Sequence, residues 1–66
     1  MILKFATKRD RNGNRYYLGI DTKNKVYALT PSHWYSREDI TEVTRRDRRK
    51  LIEAVKADGY KEINAI

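Results

Sequence analysis

The side chains in this chain that can do chemistry are mostly cations. Lys4, Lys8, Arg15 and Lys25 recur through the first half of the sequence, with Tyr17 among them. Residues 1–33 hold seven basic side chains and two acidic ones, seven minus two giving +5. Residues 34–66 hold eight and seven, giving +1. Ammonium and guanidinium groups neutralise phosphates and release the counterions condensed on them. A tyrosine beside them can stack on an unpaired base or donate to a phosphate oxygen.

A second group is Arg45-Arg46-Asp47-Arg48-Arg49-Lys50, five cations around one anion. At a helix start such a run opposes the macrodipole, which favours anions there by about 0.3–1 kcal/mol each. Arg45, Arg46 and Arg49 are therefore secondary candidates for holding an anion against the free N–H groups of a first turn. Each group also has an ordinary reading. Lysines keep a solvated sheet face soluble, and a helix face carries local pairs such as Arg49–Glu53 and Asp47–Lys50.

Catalysis has no comparable support. His33 is the single histidine, and it has no carboxylate partner nearby in sequence, whereas a general base needs a positioned neighbour. There is no Ser-His-Asp arrangement, glycine-rich phosphate loop or Cys/His metal spacing. Glu38, Asp39 and Glu42 form an acidic patch that reads as plain surface rather than a cation site. The sequence predicts a non-enzymatic protein with no catalytic residue, metal or cofactor.

The elements that must position the cations read as follows. Alternation predicts strands over Ile2 to Thr7, Arg15 to Asp21 and Lys25 to Leu29. Asn12-Gly13 marks a hairpin loop between the first two, with Gly13 at positive φ. Pro31 ends the sheet. Ser36 to Asp39 reads as a short capped helical turn. Thr44 is the N-cap of a helix from about Arg45 to Asp58, with Leu51, Ile52 and Val55 as its buried stripe and Gly59 as its stop. Arg48 falls beside that stripe and snorkels from its edge. Tyr60 to Ile66 is a possible short fourth strand. The expected fold is α+β: a three-stranded antiparallel β-meander packed on one C-terminal α-helix (βββα). Lys4, Lys8, Arg15 and Tyr17 then point away from the core on an open sheet face. Two inward registers of the third strand, Val26/Ala28 and Tyr27/Leu29, are equally acceptable.

Sixty-six residues make a single small domain, 1–66, and a chain this short buries only about 60% of its unfolded surface. Cysteine is absent, so no disulfide or thiolate metal site stiffens it. The N-terminus has no apolar run fit for export or for spanning a membrane. With a net charge of +6, the expected location is cytoplasmic and the expected partner a polyanion rather than a membrane.

The order strand, Asn12-Gly13 hairpin, strand, strand, helix, with a basic sheet face, resembles the N-terminal arm-type DNA-binding domain of phage and transposon integrases. The resemblance covers about residues 1–58. It implies a sheet that enters the major groove with Lys4, Lys8, Arg15 and Tyr17 on DNA. In place of a catalytic domain the sequence carries Tyr60 to Ile66, which implies a free-standing relative such as an accessory protein of a mobile element. The leading expectation is a nucleic-acid-binding protein, with duplex DNA on the sheet face. The alternative is a protein–protein module: an inhibitor or adaptor docking an acidic partner, or a homodimer through the sheet. Tyr17, Tyr27, Trp34 and Tyr35 would be its anchors.

Overall fold

The computed structural model describes residues 2–32, 34 and 39–66. Strands β1 (Ile2–Ala6), β2 (Tyr17–Asp21) and β3 (Val26–Ala28) are followed by β4 (Ile40–Glu42), helix α1 (Arg45–Ala57) and β5 (Lys61–Glu62). They build a five-stranded mixed sheet in the order β4-β1-β2-β3-β5. The central strands β1, β2 and β3 are antiparallel neighbours. β4 pairs parallel to β1, and β5 parallel to β3, so each edge carries a short parallel strand.

The class is α+β, but the expected three-stranded antiparallel meander is incorrect. The two added strands are three and two residues long, too short for alternation to register. Ile40, Thr41 and Val43 are β-branched, and that was the available signal for β4. Tyr60 to Ile66 does contribute a strand, but it is the fifth in chain order and pairs parallel. The capped turn expected at Ser36 falls on residues 36–38, which lie outside the described residues, as do His33 and Tyr35. Asp39 immediately precedes β4.

One face of the sheet carries the core. Leu18, Ile20 and Tyr27 are buried against Val55 of α1, with Phe5, Leu29, Leu51, Ile52 and Tyr60 packed around them. Ile20 pairs with Tyr27 across β2 and β3, so the third strand turns Tyr27 to the helix and Val26 and Ala28 to the other face. Burying a side chain such as Leu18, fully inaccessible here, is worth about 1.5–3 kcal/mol.

Helix α1 begins and ends where its capping residues dictate. The Thr44 hydroxyl accepts the Asp47 N–H at 3.0 Å, filling one of the orphan donors of the first turn. At the far end Gly59 takes φ +86°. Its N–H donates to the Lys56 carbonyl at 3.0 Å, and the Tyr60 N–H to that of Val55 at 2.9 Å. These two bonds form a Schellman stop, which a left-handed glycine permits without a Cβ clash.

The opposite face is not open. Lys4, Gly19 and Ala28 are neighbours in one row across β1, β2 and β3. The two small residues leave a trough, and Trp34 and Ile66 fill it. A Cβ built on Gly19 would stand 3.2 Å from both the Ile66 Cβ and the Trp34 Cζ2. The indole N–H of Trp34 donates to the Ile66 carbonyl at 2.8 Å. The sheet face expected to present its cations to solvent is thus covered at its centre.

Candidate functional site

Four of the six elements among the described residues meet at one end of the sheet: the C-terminal ends of β1 and β4, the N-terminal end of β2, and the start of α1. That end is built around Thr7, buried just past β1. Its N–H donates to the Tyr16 carbonyl at 2.9 Å, and its hydroxyl accepts the Tyr16 N–H at 3.1 Å. The side chain thus replaces a main-chain ladder partner, and β2 starts at Tyr17 rather than at Arg15. The Thr7 carbonyl then accepts the Nε–H of Arg15 at 2.8 Å, fixing that guanidinium at the sheet end.

Successive residues of a strand face opposite sides, and Tyr16 and Tyr17 divide the cations accordingly. On the helix side the Arg45 and Arg48 guanidinium carbons lie 4.7 and 5.6 Å from the centre of the Tyr16 ring. On the other side Arg15 lies 5.6 Å from the Tyr17 ring. Tyr17 meets Trp34 edge to face at 5.7 Å, and Lys4 Nζ lies 5.7 Å from the Trp34 ring. Each cation–ring contact is worth about 0.5–1 kcal/mol when exposed. Together they form a belt from Lys4 through Trp34, Tyr17 and Arg15 to Arg48, Tyr16 and Arg45.

Arg48 ties the two sides together. It is half-buried, and its Nε–H donates to the Tyr17 carbonyl at 2.9 Å. Burial lowers its pKa from the ordinary arginine value; Tyr16 opposes the shift and Arg45 adds to it. A guanidinium stays charged even so, so the bond to Tyr17 is charge-assisted. These contacts absorb part of the cost of placing arginines at a helix N-terminus, and Asp47 in the first turn offsets more of it.

The sequence-derived candidates divide as follows. Lys4, Arg15 and Tyr17 share the belt. Lys8 stands at the same end with its side chain 82% exposed, 3.9 Å from Glu42, a surface pair worth about 0–1 kcal/mol. Lys25 is elsewhere. It closes the turn after β2, at φ +53°, about 13 Å away along the strand at 3.3 Å per residue. Arg45, expected on a separate layer from the sheet cations, stands on Tyr16 and joins them. Arg46 and Arg49 are exposed on α1. Sequence reasoning named Trp34 only as an anchor of the alternative protein interface and did not assign Tyr16 to any site; the signal it passed over was Arg15-Tyr16-Tyr17, a cation followed by two rings on opposite faces.

An open cleft of about 440 Å³ lies between the start of α1 and the ends of β1 and β4. Lys8 and Arg45 line it, but so do Glu42 and Asp47. Its charge is mixed and the Thr44 cap occupies one of its N–H donors, so it does not favour an anion strongly. Among the described residues no group of three or more His, Cys, Asp or Glu side chains is placed to hold a metal ion. No helix among them is long and apolar enough to cross a membrane. No protein-family model matches the chain, and no curated protein or solved structure is significantly similar to it.

Proposed function

We propose that this is a small cytoplasmic, non-enzymatic protein that binds duplex DNA with the cationic end of its sheet. The observation carrying this reading is that cations from both layers, Arg15 from the sheet and Arg45 from the helix, flank the adjacent rings of Tyr16 and Tyr17. Lys8, Arg46 and Arg49 add exposed charge near that end. A guanidinium held on a ring keeps its edge N–H groups free for phosphate oxygens. Binding is by this end and not by the flat sheet face, because Trp34 and Ile66 occupy the centre of that face. This departs from the docking mode implied by the resemblance to integrase arm-type domains.

Duplex is favoured over single strands because the aromatic rings of the belt are already engaged with cations or with each other, leaving few free faces for unstacked bases. The test is a titration of the full chain against random-sequence duplex at several salt concentrations. Contacts to about five phosphates give an affinity that falls by about 10²–10³ between 50 and 200 mM salt. Absence of binding at low salt, where the electrostatic attraction is strongest, would refute the reading. Tighter binding to an acidic protein than to DNA would favour the interaction-module alternative.

A further inference from the structure

The loop joining β1 to β2 projects beyond the cationic end, and its main chain is locked by its own hydrogen bonds. The Gly13 N–H donates to the Asp10 carbonyl at 3.0 Å, and the Asp10 N–H to the Asn14 carbonyl at 2.9 Å. Asp10 Oδ1 accepts the N–H groups of Asn12 and Asn14, both at 2.9 Å. Arg9 Nη1 donates to the Gly13 carbonyl at 3.0 Å. With Gly13 at φ +82°, this is a turn centred on Arg11 and Asn12 followed by a left-handed glycine, a common three-residue hairpin connection. The one carboxylate of the loop is thus spent inside it. The side chains of Arg11 and Asn12 stand at the tip, exposed and with no hydrogen-bond or ionic partner among the described residues.

We infer that this loop is the base-reading element of the DNA-binding end, entering the major groove with Arg11 and Asn12 on base edges. The inference rests on the DNA reading above and adds to it where sequence is read. Two paired strands about 4.8 Å apart fit a groove about 12 Å wide. Behind them the Tyr16 and Tyr17 rings hold their cations on opposite faces of the sheet, one set toward each wall of the groove. An arginine fork matches the N7 and O6 acceptors of guanine, and an asparagine amide matches N7 and the N6 amine of adenine. A loop held in one conformation before binding loses little entropy on insertion. The major groove of an RNA duplex is too deep and narrow for it, so the target is DNA.

The test selects binders from a pool of short DNA duplexes with a randomised centre, using the full chain. The preferred duplex and a scrambled one are then titrated with wild type, Arg11→Lys and Asn12→Ala. Arg11→Lys keeps the charge and loses the fork; Asn12→Ala keeps the main-chain bond to Asp10. Each variant should lose about five- to a hundred-fold in preference for the selected sequence, while its affinity for scrambled duplex stays within about twofold. Replacing N7 of the selected purines by C–H should abolish the preference in the same way. A pool that yields no consensus, or a preference that survives both variants, overturns the inference while leaving DNA binding intact. Equal or tighter binding to duplex RNA also overturns it. If the chain binds no duplex at all, the proposed function falls as well.

Discussion

Arg48 of α1 donates its Nε–H to the main-chain carbonyl of Tyr17 at 2.9 Å. One bond thereby joins the helix to the first residue of β2, between the rings of Tyr16 and Tyr17 that carry Arg45 and Arg15. Charge and packing coincide at this point. Arg48 lies in sequence between the arginines of the helix start and the apolar stripe of Leu51, Ile52 and Val55, and its side chain serves both. Arg48→Met keeps the length and apolar stem but leaves the Tyr17 carbonyl without this donor. We expect a loss of about 1.5–3 kcal/mol, the range for a hydrogen bond to a charged group, measured by urea unfolding. An unchanged midpoint would show that the bond contributes nothing.

Gly19 provides a test of the covered sheet face. Its absent side chain leaves room for Trp34 and Ile66, and a Cβ there would stand at 3.2 Å from each. Gly19→Val should cost about 1–3 kcal/mol, as overpacking does, and should shift Trp34 fluorescence to the red as the indole is displaced. Wild-type stability and an unshifted emission spectrum would mean that Trp34 does not sit on that face.

Leu18 and Leu51 should separate under alanine substitution. Leu18 is fully buried and Leu51 only partly. Leu18→Ala is expected to cost about 2–5 kcal/mol, and Leu51→Ala distinctly less. The reverse order in equilibrium unfolding would place the core elsewhere.

How much of this was legible depended on whether the signal was local. Thr44, Gly59 and Gly13 act on their own neighbours, so the helix ends and the first hairpin were readable from residue type. Alternation likewise marked Leu18 and Ile20 as core positions. β4 and β5 were not readable, because a three-residue and a two-residue strand exist only through the partners they find across the chain. The cover on the second sheet face was missed for a related reason. Gly19 read as an outward position of a solvated face and the facing of Ala28 stayed open, whereas their smallness made room for a tryptophan and an isoleucine distant in sequence. Lys25 shares parity arguments with the other cations but belongs to the far turn. Arg45 shares none and is at the site.

Asp21 carries an acid-limb prediction. Its carboxylate is held below the ordinary aspartate value, first by the Asn24 side-chain amide at 2.8 Å, then by the Asn24 and Lys23 N–H groups. A carboxylate with a depressed folded-state pKa stabilises the fold at neutral pH. That contribution disappears as the pH falls through the ordinary value near 3.8 and on through the lowered one. Asp21→Asn should therefore flatten the decline of stability below about pH 4. An acid limb identical to wild type would show that the turn does not depend on the charge.

The central claim is that cations of the sheet and of the helix act as one surface on DNA. It is tested most directly by the salt slope of binding to a random-sequence duplex, compared among wild type, Lys8→Gln, Arg45→Gln and Lys25→Gln. Each lost phosphate contact removes about one from the slope. Lys8→Gln and Arg45→Gln should each lower it by about one and weaken binding to all sequences alike, while Lys25→Gln, at the far end of β2, should leave it unchanged. A slope that falls equally with Lys25→Gln, or one that Arg45→Gln leaves untouched, would contradict the claim.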